Sequence, residues 1–339
     1  MTERTVTEER PELDDSYRAE LFAHCYRMMG SVHDAEDLVQ ETYLRAWRSY
    51  HSFEARSSLR TWLYRIATNA CLTALEGRNR RPLPTGLGAD SSDPAAELVQ
   101  QPEVPWLQPV PDTLVTGAPD DPASIVGSRE SIRLAFVAAM QHLPPRQRAV
   151  LILRDVLRWR AAEVAELLGM TTAAVNSALQ RAHAQLDQVA ATEEATVEPE
   201  DVAQRELLDR YMAAFEAYDT EAMVALFTED AVWEMPPFTG WYQGAESIVR
   251  LISLNCPASG PEDMRMVPTR ANGQPAFGLY MRDHDGVHRA FQIQVLTLGA
   301  TGVTHVGAFF DTGLFAAFGL PEELPGRGSG AGPGHPATG

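Results

Sequence analysis

AAEVAELLGMTTAAVNSALQRA, residues 161–182, reads as two short helices joined by a tight turn. Ala165 is small enough to let two helices cross closely, and Gly169 supplies the turn. Val175 and Leu179 provide the second helix with an apolar side to bury against the first. Thr171 or Thr172 is placed to cap that second helix, which leaves its N-terminus pointing outward. A helix-turn-helix inserts that end into the major groove. Asn176, Ser177, Gln180 and Arg181 are the exposed groups that would then reach base edges or phosphates. The same pattern also describes a helical hairpin with no ligand, so the flanking sequence has to arbitrate.

Immediately upstream, Ile132, Phe136, Met140 and Leu143 fall on one helical face before Pro144-Pro145, and a further helix runs over 146–157. Residues 82–124 are rich in Pro, Gly, Asp and Ser and have no periodicity apart from a short apolar island at Trp106-Leu107. That composition predicts a flexible linker, with the island as its docked part. Residues 16–77 are helical throughout. Ser31, with Asp34 three residues on, marks a helix start after the break at Gly30. Ala35, Leu38, Val39, Tyr43, Ala46, Trp47 and Tyr50 form its apolar stripe, opposite Asp37, Gln40, Glu41, Arg45 and Arg48. A second amphipathic helix carries Trp62, Leu63, Ile66, Ala67 and Ala70 and stops near Gly77 and Pro82.

Downstream of the hairpin the pattern changes. An amphipathic helix with Leu207, Leu208, Tyr211, Met212 and Phe215 and a shorter one over 223–227 lead into strand-like runs at 231–235, 276–282, 288–298 and 301–310. This is a change from all-α to α+β. The tail, 321–339, is rich in Gly and Pro and is expected to be disordered.

The net charge of −18 argues against a nucleic-acid partner until it is divided along the chain. Residues 1–81 sum to −1, 82–127 to −7, 128–190 to +3 and 191–339 to −13. The acid is therefore confined to the linker and the last third, and the two helical modules are free to face DNA. No apolar run approaches the roughly 20 residues that span a bilayer, and the charged N-terminus has no signal-peptide core, so a cytoplasmic protein is expected. Cys25, Cys71 and Cys256 are widely spaced and form no C-x-x-C pair; free thiols, with no metal site and no cofactor, are the expectation.

Two further stretches carry a resemblance. DAEDLVQETYLRAW (34–47) and RTWLYRIATNA (60–70) are similar to the second conserved region of extracytoplasmic-function (ECF) sigma factors. LPPRQRAVL (143–151) with the helix-turn-helix is similar to their fourth region. The C-terminal part resembles a SnoaL-like cone through DRYMAAF (209–215), FTEDAVW (227–233) and GWYQG (240–244). The implied organisation is multidomain: two all-α sigma domains, a helical bundle at 12–82 and a helix-turn-helix module at 128–192, then an α+β SnoaL-like domain at 201–320. A linker at 83–127 joins the first two, and the tail is 321–339. The implied function is a non-catalytic subunit that binds core RNA polymerase and promoter DNA, with no membrane partner.

The resemblance also assigns roles. Asp37, Gln40 and Glu41 match positions that grip the clamp coiled coil of the largest polymerase subunit. Arg56, Arg60, Trp62, Arg65 and Asn69 belong to the loop and helix that capture a flipped base of the minus-ten element. Such a site calls for aromatic and arginine groups that stack on bases and neutralise phosphates. Trp62 is read either as part of it or as core. Arg78, Arg80 and Arg81 form a basic cluster suited to the duplex backbone. Arg158, Arg160, Asn176, Ser177, Gln180 and Arg181 are assigned to the minus-thirty-five element. Thr73 replaces a usual Asp, and Asn176 and Ala178 stand where many relatives carry Arg. The acidic linker is read either as a nucleic-acid mimic in the polymerase channel or as a plain tether.

Tyr211, Trp233, Glu234, Trp241 and His305 are candidate lining groups of a pocket in the cone, where a small molecule would bind. A carboxylate with a tyrosine is the acid–base pair that some cone folds use. Three readings stand at this point: a sigma factor modulated in cis by its C-terminal domain, an enzyme or ligand-binding cone recruited to DNA by the helices, and a helix-turn-helix regulator that works without polymerase.

Overall fold

The computed structural model describes residues 15–53, 58–115, 130–190 and 202–325. They divide into two compact units. One gathers the residues up to 79 with 114–131 and 140–186; the other gathers 80–113, 132–139 and everything from 187 onward.

In the first unit, helix α1 (Arg18–Met29) ends where Gly30 adopts φ 68°, its N–H donating to the Tyr26 carbonyl at 2.7 Å. That left-handed turn suits glycine because it has no Cβ to clash. Ser31 then caps α2 (Val32–Ser49), its Oγ accepting the Asp34 N–H at 3.2 Å. Ser58 does the same for α3 (Leu59–Leu75) through the Thr61 N–H at 3.1 Å. The three helices pack pairwise on a core that includes Leu21, Cys25, Met28, Val39, Leu63 and Ala67. The buried stripe of α2 is Ala35, Val39, Thr42 and Ala46, with Leu38, Tyr43 and Tyr50 half-buried. Trp47 departs from the expected stripe and is 58 % exposed. One residue beyond Ala46, it is rotated about 100° around the helix axis, out of the seam.

Helix α4 (Leu134–Gln141) is apolar almost all round, and its stretch up to Ala139 clusters with the second unit. Helix α5 (Pro145–Leu151) opens on a proline, where the missing N–H costs nothing, and continues into a π-turn over Ile152–Val156. Helix α6 (Ala161–Leu168) ends at Gly169, φ 62°. Thr171 is the cap of α7 (Thr172–Ala190), its hydroxyl accepting the Ala174 N–H at 3.1 Å. Val175, Ala178 and Ala182 bury α7, while Leu179 is only half-buried. Ala178 is thus a packing residue and not a shortened contact arm.

The second unit is α+β. Helices α8 (Val202–Glu216) and α9 (Thr220–Val224) precede β1 (Phe227–Glu234) and β2 (Trp241–Gln243), followed by α10 (Ala245–Asn255). Then come β3 (Met264–Ala271), β4 (Gln274–Arg282), β5 (His288–Leu298), β6 (Val303–Phe309), α11 (Leu314–Ala317) and β7 (Glu323–Leu324). The sheet order is β2-β1-β6-β5-β4-β3, with β7 added on β5. Among the described strands only the β1–β6 pair is parallel. Helix α8 lies on β3 and α10 on β1, enclosing Tyr211, Phe215, Trp233, Phe277, Leu279 and Leu296. Strand β3 is an edge strand that buries Met264 and Met266 in alternation and is then interrupted by Pro268, which donates no hydrogen bond.

The other face of this sheet is covered as well: β4 is buried continuously from Gln274 to Tyr280, where an open face would alternate. Its cover includes residues 80–113, and the flexible linker expected there is corrected for this stretch. Ser92 N–H donates to the Trp241 carbonyl at 2.8 Å and Gln101 N–H to that of Pro237 at 2.9 Å. At the opposite edge Asn272 N–H donates to the Val110 carbonyl at 2.9 Å and its side-chain oxygen accepts the Val110 N–H at 2.9 Å. Leu83, Trp106, Leu107 and Val110 are buried. Composition is blind to this because the segment has no period of its own. Prolines such as Pro105, Pro109 and Pro111 hold it extended, and the sheet edges supply its hydrogen-bond partners. The start of the expected disordered tail is likewise ordered, since Glu323 and Leu324 pair with β5. Linker residues 116–127 and tail residues 326–339 lie outside the described residues.

Candidate functional surfaces

Asp37, Gln40 and Glu41 follow one another at i, i+3 and i+4 on α2 and share one exposed face. Glu41 is paired with Arg45 at 2.7 Å, and exposed Leu44 extends the same surface. Sequence reading missed this apolar group, whose signal was its place one turn beyond Gln40.

On α3 the assigned residues have unequal fates. Asn69 is exposed, and Trp62 is half-buried in a ring cluster with Phe53 (5.0 Å) and Tyr50 (6.3 Å), neither wholly core nor free. Arg60 makes a forked pair with Glu20, the closest approach being 2.6 Å, and Arg65 pairs with Glu166 of α6 at 2.8 Å. Arg56 lies outside the described residues. Each arginine of the basic cluster has a partner: Arg78 pairs with Asp34 at 3.0 Å, Arg80 donates to the Gly86 carbonyl and Arg81 to that of Trp106.

Asn176, Gln180 and Arg181 project from the exposed side of α7, with Arg181 donating to half-buried Ser177 Oγ at 2.7 Å. Arg158 is exposed in the left-handed region at φ 58°, and Arg160 pairs with Glu163 at 2.7 Å. Beneath these, Arg148 is 3 % exposed. It donates to the Met28, Gln141 and Leu143 carbonyls and to Gln141 Oε1 at 2.7 Å. Tyr64 meets Trp159 edge to face at 6.0 Å. The α1–α3 bundle and the α5–α7 module therefore touch through both polar and aromatic groups. Burial lowers the Arg148 pKa to about 10 and that of His24 to about 3, so His24 is neutral at physiological pH. The Thr68 hydroxyl donates to the Tyr64 carbonyl, so it accepts from His24 Nε2 at 3.0 Å.

The five candidate pocket residues do not converge. Trp233 faces α8, lying parallel to Phe215 at 6.3 Å, and Tyr211 reaches the same layer from α8: it stacks on Phe277 at 5.7 Å, and its hydroxyl donates to Gln294 Oε1 at 3.0 Å. Burial raises the Tyr211 pKa well above its ordinary value. Glu234 points the other way, as neighbours along a strand must. It is 2 % exposed and accepts His305 Nε2 at 2.7 Å and the Thr85 N–H at 2.7 Å. Trp241 stands opposite Glu234 in the β1–β2 register, and its indole donates to the Ala89 carbonyl at 2.9 Å. The expected carboxylate–tyrosine pair is thereby corrected: the sheet separates Glu234 from Tyr211. Gln292 and Gln294, which share the Tyr211 side, were not anticipated.

Among the described residues no His, Cys, Asp and Glu cluster is arranged to hold a metal, and no helix is long and apolar enough to cross a membrane. Residues 13–81 match sigma-70 region 2, 133–186 match sigma-70 region 4, and 208–306 match a SnoaL-like domain. The chain is 62 % identical to the ECF RNA polymerase sigma factor SigG of Mycobacterium tuberculosis, over 91 % of its length and 83 % of that protein's. It is 31 % identical to SigJ of the same species over 70 % of each chain. The crystal structure of that SigJ superposes with a TM-score of 0.59 at 25 % identity, covering 91 % of this chain and 98 % of the other. A multidomain chain of two helical sigma modules and a C-terminal SnoaL-like domain, it belongs to the ECF RNA polymerase sigma factors.

Proposed function

We propose that the C-terminal domain modulates initiation in cis by holding the segment between the two sigma modules. The carrying observation is the seat of residues 80–113 on the C-terminal sheet: Thr85 on Glu234, Ala89 on Trp241, Val110 on Asn272. A segment held in this way is neither the nucleic-acid mimic nor the plain tether expected from its composition. In this reading Asp37, Gln40 and Glu41 engage the clamp coiled coil of polymerase. Arg60, Trp62, Arg65, Asn69, Arg78, Arg80 and Arg81 serve the minus-ten element and its flanking duplex. Arg158, Arg160, Asn176, Ser177, Gln180 and Arg181 serve the minus-thirty-five element.

Geometry adds support. Elements about 25 base pairs apart are separated by about 85 Å at ~3.4 Å per step. Arg65 and Glu166, from modules that would read different elements, are 2.8 Å apart. The form described is therefore a closed one, and opening precedes promoter engagement. Few phosphate-directed groups lie on α7, so tethering through polymerase supplies effective concentration that an isolated module lacks.

The test is run-off transcription with core polymerase and the full-length chain. Loosening the strap with Glu234→Ala is expected to change promoter-specific output severalfold relative to wild type, at equal core binding. Truncation near 195 is the poorer design, since it bares Leu107, Val110 and Leu134. Unchanged output with a loosened strap would reject the cis reading; operator binding without polymerase would favour the plain regulator.

A further inference from the structure

Arg60 is the second residue of α3, and the carboxylate it meets, Glu20, stands in the first turn of α1. Arg60 Nε donates to both oxygens of Glu20, at 3.0 and 2.8 Å, and Nη2 donates to Oε2 at 2.6 Å. Tyr64, one turn further along α3, completes the seat. Its hydroxyl donates to the same Oε2 at 3.2 Å, and the guanidinium carbon lies over its ring, 5.1 Å from the centroid. The ring has no freedom of its own: Tyr64 is 1 % exposed and meets His24 at 5.3 Å and Trp159 at 6.0 Å, both edge to face. A carboxylate along one edge and a ring against one face fix the guanidinium in both tilt and rotation.

A guanidinium carries five N–H donors in a rigid fork. Glu20 takes the Nε side of it. None of these bonds uses Nη1, and the Arg60 side chain is 44 % exposed, so the Nη1–Nη2 edge is the one turned outward. A half-exposed ion pair adds little to stability, so the seat is more exact than holding α1 on α3 requires. Its charge and its shape point the same way. Arg60 and Glu20 sum to zero, which makes a poor general clamp for phosphates, since that affinity comes from net positive charge. A fixed edge of two donors instead selects a base with two adjacent, parallel acceptors. Guanine offers these at O6 and N7, and unpaired cytosine at O2 and N3; adenine and thymine have no such pair.

We propose that Glu20 is a positioning residue for promoter selection: it turns Arg60 so that the outward edge of the guanidinium reads an unpaired guanine or cytosine of the minus-ten element. The inference rests on the assignment of α3 to that element. Arg60 touches the base. Glu20 and Tyr64 do not; they remove the rotations that would let Arg60 follow the nearest phosphate. The carboxylate also cancels a charge that would otherwise hold any strand. Freeing Arg60 therefore strengthens binding to DNA in general and weakens the choice among bases. A side chain that only joined two helices would do neither.

The experiment uses holoenzyme assembled from core polymerase and the full-length chain. Its probes are fork-junction promoters that carry each of the four bases in turn at every unpaired minus-ten position of the non-template strand. Wild type is expected to prefer guanine or cytosine over adenine and thymine at one position by about tenfold, as a two-donor contact does. Glu20→Gln keeps the size of the side chain. It is expected to cut that preference to about threefold or less, to raise affinity for a scrambled single strand, and to steepen its salt dependence by about 0.7 in log–log slope. Arg60→Lys keeps the charge without the fork, so it should lose the preference and leave the salt slope in place. A preference that survives intact in Glu20→Gln would overturn the positioning role while leaving Arg60 at the minus-ten element. A wild-type preference that is absent, or that Arg60→Ala leaves unchanged, would remove Arg60 from that element and the proposal with it.

Discussion

Glu234 is the place where the strap is most directly testable. Its carboxylate is buried and receives two hydrogen bonds, from His305 and from the Thr85 backbone N–H, both at 2.7 Å. A hydrogen bond to a charged group contributes about 1.5–3 kcal/mol. Glu234→Ala removes the acceptor from Thr85 and should lower the free energy of local opening there by that amount. At about 1.4 kcal/mol per tenfold, exchange of the Thr85 amide should accelerate roughly 10- to 150-fold. Hydrogen exchange read on peptides spanning 83–88 measures this, with β4 and β5 peptides as internal references. His305→Asn separates the two bonds: it removes the imidazole but leaves Thr85 its acceptor, so its effect at 83–88 should be smaller. If exchange over 83–88 is the same in Glu234→Ala as in wild type, this carboxylate does not hold the strap.

Three further outcomes are expected. Arg148→Ala strips hydrogen bonds from the Met28, Gln141 and Leu143 carbonyls inside the first unit and should destabilise it by about 1–3 kcal/mol for each carbonyl left unpaired, read as a lower urea midpoint; an unmoved midpoint would contradict the burial argument. His24 has its folded pKa depressed to about 3, below the ordinary 6.5, so the unfolded state takes up a proton that the folded state refuses. Its contribution is complete above pH 6.5 and is lost as pH falls toward 3, about 2 kcal/mol of it between pH 7 and pH 5, and His24→Asn should flatten that slope in denaturation curves. Charge reversal of Asp37 and Glu41 should abolish binding to core polymerase in a pull-down yet leave the melting temperature within a degree or two, because both side chains face solvent; retained affinity would remove them from the clamp contact.

The helical modules were legible because their signals are local. Gly30, Ser31, Gly169 and Thr171 act within a turn of themselves, and the alternatives Thr171 and Thr172 differed only in which hydroxyl reached an N–H. Partition of the charge was legible too, since it needs no coordinates. Trp47 shows where periodicity fails: a stripe drawn from apolar identity admits any large side chain within about 100°, and packing then chooses among them. In the C-terminal domain the strands with strong alternation were found, while the short edge strand β2 and the Pro268-bearing β3 were not.

By itself, then, the chain's order of residues determined where helices start and stop, which modules they build and which parts of the molecule are free of excess acid. These follow from interactions over a few residues. The tertiary structure alone decided two matters: that 80–113 is held, and that Glu234 and Tyr211 are parted. Each depends on strand register and on what covers a face. A strand residue's neighbours across the sheet come from elsewhere in the chain; Glu234 receives its hydrogen bond from a backbone amide 149 positions away. No period or motif carries that distance, so only the closed packing of the sheet assigns a side chain to one face or the other.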